Sequence, residues 1–337
     1  MRILYGVQAT GNGHISRARA MEKQFRQAGV SVDFLFSGRP QDQFFDMQQF
    51  GDYQLRQGLT FVTEAGKVNY WQSAKRARLS TLWHDITTLD LQSYDLVLTD
   101  FEPISAWAAK RQGKTCIAIG HQYAFLHAIP MENANLLSRA IFRHFAPANY
   151  SLGLHWHHFE QPILPPIIDL PVSSKPVQSD RVLVYLPFED QQQVLSVLAP
   201  LTDYQFSVYG PGLANAELGH IRTQPPSLNA FKNDLLQSHA VLSNAGFELI
   251  SEALQLNKHI LVKPLQGQME QQSNALALTR LNLASRTDTL STAVIAKWLA
   301  QAGPFNQVSY PDVAAAICRW LLQDTPDQRQ KLVASLW

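Results

Sequence analysis

The segment from Ser243 to Asn274 constrains the fold of this chain more than any other. It starts at the end of a short apolar run, Ala240-Val241-Leu242, turns through Ala245-Gly246, and then spaces Leu249, Ile250, Ala253, Leu254 and Leu256 as one face of a helix. A second apolar run, His259 to Val262, follows and stops before Pro264. The pattern reads as strand, tight turn, helix, strand. A glycine in such a turn lets a ligand reach the main chain. The helix behind it presents unpaired N–H groups at the positive end of its dipole, so phosphate is the natural guest. Glu252 lies six residues past Gly246, close enough for its carboxylate to meet the same ligand and accept two hydrogen bonds from a cis-diol such as ribose. Glu248, nearer still to the turn, would repel a diphosphate unless it points away. Past the second strand comes a run of amides and acids, Gln266, Gln268, Glu270, Gln271, Gln272 and Asn274, at the sheet edge where open α/β folds hold ligands. Those side chains suit sugar hydroxyls.

The order Asn244-x-Gly246, Glu252-Ala253-Leu254, Pro264, Glu270-Gln271 and Asn274-Ala275 resembles the donor-binding segment of GT-B glycosyltransferases, among them plant nucleotide-sugar transferases and the peptidoglycan GlcNAc transferase. The wording Gly246-Phe247, Ser251-Glu252-Ala253-Leu254 and Gly267-Gln268-x-Glu270-Gln271 is most similar to a small prokaryotic family of GT-B transferases. That family resembles the chain again at Asp100-Phe101-Glu102-Pro103 and at Gly120-His121-Gln122. The resemblance implies that Gly246, with Asn244, Ala245 and Phe247 around it, meets the diphosphate. It also implies that Glu252 meets the ribose, and Glu270 and Gln271 the transferred sugar, with Gln268 and Asn274 on the same donor side. Gly11 and Gly13 would approach the donor from the first half of the chain, and His121 and Gln122 would belong to the acceptor. Plant enzymes carry histidine, asparagine and serine where this chain has Asn244, Glu248 and Leu249, so those phosphate contacts differ here.

A length of 337 residues exceeds what one hydrophobic core usually fills, so two domains are expected. With 28 Lys and Arg against 27 Asp and Glu, the net charge of +1 supplies no global reason for nucleic-acid binding. Two cysteines far apart, Cys116 and Cys318, each inside an apolar segment, suit buried thiols in a reducing compartment. No stretch has the apolar length of a membrane span, and the first residues lack a signal peptide's core. The expectation is a cytoplasmic chain. A cluster of aromatic and basic residues, Tyr70, Trp71, Lys75, Arg76, Arg78, Leu79, Leu82 and Trp83, reads either as a helix with one solvated face or as an acceptor groove or peripheral contact with the inner face of a membrane.

In the first half, Ile3 to Val7 reads as a buried strand, Thr10 to His14 as a turn, and Ile15, Ala18, Met21, Phe25 and Ala28 as a helix face that stops at Gly29. The next strand, Val32 to Phe36, completes a βαβ unit and predicts a parallel sheet. The spacing Gly11-x-Gly13 raises a dinucleotide reading. Ser16 replaces the third glycine, however, and the second strand ends in Ser37-Gly38-Arg39 without the acid that holds an adenosine ribose. His14, at the start of a helix, can accept a proton as a neutral imidazole. In the GT-B resemblance a histidine here is the candidate base. Tyr94 to Thr99 reads as a strand that delivers Asp100 and Glu102 to its carboxyl end, where an acid could orient His14 or merely cap the next helix. His155-x-His157-His158, in a strand-like segment, places two histidines on one face without a third metal ligand.

Pro162, Pro165, Pro166, Pro171 and Pro176, with Ser173-Ser174, mark a linker. The expected organisation is α/β throughout, of GT-B type: an acceptor domain over 1–163, a linker over 164–180, and a nucleotide-sugar donor domain over 181–337. The terminal helix around Val313 to Leu321 has spacing compatible with a return to the first domain. The expected activity is transfer of a sugar from a nucleotide-diphosphate sugar, a UDP-sugar foremost, to the hydroxyl of a lipid-linked or glycan acceptor. The base is His14 with Asp100 or Glu102, the outcome inverting. No cofactor is expected and, the chain having no Asp-x-Asp, no metal either. A nucleotide-sugar epimerase of the same fold and a non-catalytic nucleotide-sugar sensor remain as alternatives.

Overall fold

The structure, a computed structural model, describes residues 1–59, 63–64, 67–68, 78–171, 175–301, 306–323 and 328–337. Tyr70, Trp71, Lys75 and Arg76 of the aromatic-basic cluster, and Ser173-Ser174, lie outside these residues. Of that cluster, Leu79–Thr88 forms a helix on which Trp83 is exposed.

Six strands form the first sheet: β1 (Arg2–Gln8), β2 (Ser31–Ser37), β3 (Tyr53–Arg56), β4 (Leu96–Asp100), β5 (Cys116–Gly120) and β6 (Tyr150–Gly153). They lie in the order β3-β2-β1-β4-β5-β6, every pair parallel. Parallel strands need helical crossovers that cover both faces, so their sequences are apolar throughout rather than alternating. β1 shows this: Ile3, Tyr5 and Val7 enter one core cluster and Leu4 another, all with no exposed surface. Helix α1 (Asn12–Gln27) covers the first face, while α2 (Leu79–Thr88) and α3 (Pro103–Gln112) bury Ile86, Ile104 and Ala108 on the second. α1 ends where Gly29 takes a positive φ of 67°, the left-handed conformation that a helix stop needs.

The second sheet comprises β7 (Gln178–Tyr185), β8 (Gln205–Tyr209), β9 (Ala216–Leu218), β10 (Ile221–Gln224), β11 (Ser238–Ser243), β12 (His259–Val262) and β13 (Ser285–Arg286). Its order is β9-β10-β8-β7-β11-β12-β13, parallel except for the β9–β10 hairpin. In each sheet the strand order reverses beside the first strand, at β1/β4 and at β7/β11, and ligands of open α/β sheets bind outside the carboxyl ends at such a switch point. The residues just beyond these strands carry the site.

Helix α4 (Leu136–His144) belongs to the first domain, and α5 (Gln191–Leu198), α6 (Leu228–Gln237), α7 (Phe247–Gln255), α8 (Met269–Arg280) and α9 (Thr292–Ala300) to the second. α10 (Val313–Gln323) packs on α1, with Gln24 donating to Asp312, and is followed by the short α11 (Arg329–Ala334). One core cluster therefore runs from β1 and α1 through α7 to Val313, Ile317 and Trp320. The segment 155–158 is not a strand. It bends, and His155, His157 and His158 each accept a main-chain N–H at Nδ1, from Trp156, Phe159 and Glu160. A strand cannot fold its side chains back on its own backbone in that way.

Candidate active site

Two helices point uncapped N-termini at the space between the sheets. α1 begins after Gly11 and α7 after Gly246, and neither N-cap glycine has a side chain to cap the first-turn N–H groups, which are left without a side-chain cap among the described residues. A Cβ at Gly11 or Gly246 would meet nothing within 4 Å, so both turns face open space. Two cavities adjoin there. One, of about 330 Å³, is bordered by His14, Arg17, Phe101, His121, Gln122, Phe142, Gln268 and Glu270. The other, of about 220 Å³, is bordered by Asn12, Ser16, Tyr185, Phe231, Lys232, Asn244 and Glu252. Gly11, Gly13, Gly246, Phe247, Glu248 and Gln271 border both.

His14 stands in the first turn of α1 with its Nδ1 2.7 Å from Asp100 Oδ1, the carboxylate at the very end of β4. Arg17, one turn on, lays its guanidinium against the same carboxylate. Nε donates to Oδ2 and Nη2 to Oδ1, both at 2.7 Å, and Nη2 also lies 3.0 Å from His14 Nδ1. The remaining Nη1 donates to Glu248 Oε1 across the cleft. Burial alone would raise the Asp100 carboxyl, yet Arg17 and His14 hold it below its ordinary value. For Glu248 the balance is reversed. Burial pushes it up to about 8 against Arg17, with Glu252 and Asp100 adding repulsion. One cation cannot fully serve two carboxylates, and the one with two bonds keeps it.

Glu102, expected as a possible partner of His14, is the helix cap instead. Its carboxylate accepts from Ile104 N at 2.9 Å, Ser105 N at 2.6 Å and Ser37 Oγ at 2.7 Å, with no exposed surface and no place on either cavity. Thus the orienting and capping roles fall to different acids. Glu252 borders the second cavity, but one oxygen already accepts from Lys232 and from Ser16 at 3.3 Å. Asn274, expected on the donor, is wholly buried and borders neither cavity. Its amide donates to Ala245 O at 2.9 Å and its Oδ1 lies 2.7 Å from His121 Nε2. Ala245 is likewise buried and off both cavities. These two residues shape the turn rather than line it. His121 stacks on Phe247 with ring centroids 3.9 Å apart, and Gln122 donates to Glu270 at 3.2 Å, so both residues bridge the domains. Asn244, Gln268 and Gln271 border the cavities.

Arg17 and Lys232 lie outside the motifs that point to the site. A signal existed for Arg17: it shares a helix face with His14, Ala18 and Met21, and a charge amid apolar neighbours beside a histidine is an invitation to look for a buried partner. Lys232, which also donates to Asp169 O at 2.7 Å, had none.

A sequence model of the family described as Glycosyl transferase family 1 matches residues 1–302. The chain belongs to that family. A search of curated proteins finds no match. Among solved structures, UGT89C1 of Arabidopsis thaliana complexed with quercetin is 13% identical, with a TM-score of 0.58 over 99% of this chain and 98% of that one. MurG of Acinetobacter baumannii is 14% identical, with a TM-score of 0.56 over 99% of this chain and 98% of that one. The glycosyltransferase VinC in complex with DTDP is 13% identical, with a TM-score of 0.55 over 100% of this chain and 96% of that one. The fold of this glycosyltransferase is therefore GT-B, with the plant and MurG likenesses that the motifs suggested. Among the described residues no helix is long and apolar enough to cross a membrane.

Proposed function

We propose that this glycosyltransferase moves a sugar from a nucleotide-diphosphate sugar to an acceptor hydroxyl, with inversion and without a metal. The observation that carries the reading is the 2.7 Å contact between His14 and Asp100 where the two cavities adjoin. A carboxylate on Nδ1 selects the tautomer protonated there and leaves Nε2 free to take a proton. In the reaction the acceptor oxygen forms its bond to the sugar carbon as the bond from that carbon to the diphosphate breaks. The acceptor proton passes to His14 Nε2, and the negative charge departs on the diphosphate. Asp100 would then stabilise the imidazolium. The α7 N-terminus would meet the leaving group's charge, with Arg17 on the border of the same cavity.

The nucleoside is assigned to the second cavity, where Tyr185 and Phe231 on its border suit an aromatic base, and the likeness to a transferase solved with DTDP supports a nucleoside diphosphate there. The first cavity is walled by Phe101, Phe142, Phe145 and Met269, which suits an acceptor hydroxyl on an apolar body, as in a lipid-linked acceptor.

The test is calorimetric titration with UDP-, GDP- and TDP-sugars in the presence of a chelator, followed by turnover with His14→Ala. One sugar nucleotide should bind both proteins, and turnover should fall about 10²- to 10⁴-fold in the variant, the usual worth of a general base. Undiminished turnover would remove His14 from the mechanism, and no binding by any sugar nucleotide would remove the donor reading.

A further inference from the structure

Three buried carboxylates converge where the cavities join, and two cations serve them. Asp100 takes two bonds from Arg17 and one from His14. Glu252 takes Lys232 and Ser16. Glu248 is left with the last nitrogen of an arginine whose charge Asp100 already balances. Fully ionised, the cluster would carry one uncompensated negative charge, and an unpaired charge out of water is strongly disfavoured. The dipole of α7 favours an anion in its first turn, where Glu248 lies, but this effect is small beside the cost of a buried unpaired charge. A proton on the least served acid resolves the imbalance, and burial raises Glu248 accordingly, to about 8. The charged or titratable groups that face it are Arg17 and His14 from α1, Asp100 from β4, Tyr5 from β1, Glu252 from its own helix, Lys232 from α6 and Glu270 from α8 across the cavity.

The position of this acid matters as much as its proton. Its Cγ stands 2.8 Å from where a Cβ on Gly13 would be, and its side chain borders both cavities, so it lies on the strip of wall that joins the nucleoside cavity to His14. Open space fronts Gly11 and Gly246 on that strip, and the buried Asn244 Oδ1 beside it has no hydrogen-bond partner among the described residues. A group that spans from nucleoside to His14 must cross there.

We propose that Glu248 serves the diphosphate subsite as a neutral carboxylic acid, donating its O–H to a phosphate oxygen beside Arg17. The proposal rests on the nucleotide-diphosphate reading above. An ionised Glu248 would repel the same phosphate, so the subsite accepts its ligand only while the proton is present. Glutamine at this position is neutral at every pH and keeps a donor.

Wild type and Glu248→Gln are titrated with uridine, thymidine and guanosine diphosphates, with the matching nucleosides, and with inorganic pyrophosphate between pH 6 and 9.5. The ratio of the two proteins' affinities cancels the titration of the ligand. For the diphosphates that ratio should stay constant at low pH and then move against the wild type by about tenfold per unit above pH 8, as a single required proton demands, while nucleosides show no trend. A ratio independent of pH overturns the proposal. Wild type alone supplies a second measurement. At pH 9, diphosphate binding should take up about one proton, read from binding enthalpies in buffers of different ionisation heat, and no uptake overturns the proposal equally. If pyrophosphate shows the pattern and no nucleoside diphosphate binds, the subsite stands and the donor reading falls. If nucleoside diphosphates bind with a flat ratio, the donor reading stands and Glu248 is a structural partner of Arg17.

Discussion

Asp100 and Glu102 are two residues apart and have opposite duties, and the backbone between them explains why. Phe101 adopts a positive φ of 54°, rare for a side chain with a Cβ, which turns the chain sharply at the end of β4. Asp100 is thereby left facing α1, while Glu102 folds back over the first turn of α3. Glu102→Ala should cost about 1–2 kcal/mol of stability as a lost cap, read by denaturant unfolding, with turnover per folded molecule unchanged. A loss of turnover would return Glu102 to the reaction. The two acids on Arg17 also titrate with opposite sign. Asp100 is held below its ordinary 3.8, so its contribution to stability is present above that pH and lost as pH falls through the lower folded value. Glu248 is raised from 4.5 to about 8, so the folded protein keeps a proton that the unfolded chain releases, and stability falls as pH rises through that window. Unfolding measured from pH 5 to 8 should show a smaller decline for Glu248→Gln than for wild type. An equal decline would mean that Glu248 is ionised in the folded protein.

At the scale of elements, α1 does most to join fold and site. Its N-terminus faces the cavities, its first two turns carry His14 and Arg17, and its flank packs on α7 and α10. Much of this was legible in the sequence: apolar runs mark β1, β4, β11 and β12, and glycine turns mark the starts of α1 and α7. The buried ion pairs were less legible. Arg17 and Lys232 are residue types that usually face water, and only their partners, Asp100 and Glu248 for Arg17 and Glu252 for Lys232, make them interior. The same limit applies to the buried contacts of Asn274, whose partners Ala245 and His121 come from other segments. One consequence of the α1–α7 approach concerns Gly13. A methyl group there would stand 2.8 Å from Glu248 Cγ, closer than carbon atoms tolerate. Gly13→Ala should cost about 1–3 kcal/mol as overpacking and dislodge Glu248 from Arg17. Combined with Glu248→Ala, which removes the clashing Cγ, the two changes should be markedly less than additive in a double-mutant cycle. Additivity would show that the two sites do not touch.

Across the whole molecule, the interface between the domains is built like a core rather than like a hinge. Trp156, following the first sheet, buries its indole and donates from Nε1 to Ser251 Oγ on α7 at 2.8 Å, while Tyr310 OH donates to Trp156 O at 3.3 Å. His121 stacks on Phe247, Arg17 reaches Glu248, and Gln122 reaches Glu270. Domains in one chain usually meet through small polar surfaces and unfold separately. Here the shared apolar cluster ties Ile15 and Ala18 of α1 to Ile250 and Leu254 of α7 and to Ile317 of α10, so neither domain can lose its fold without exposing the other's core. Calorimetry should therefore show a single cooperative transition, with near-ultraviolet and far-ultraviolet signals coinciding. Ser251→Ala leaves the buried Trp156 N–H without an acceptor and should destabilise that one transition by about 1–3 kcal/mol. If the variant, or the wild type, melts in two steps, the domains are energetically separate. The cross-cleft contacts would then hold the closed geometry without contributing to the fold.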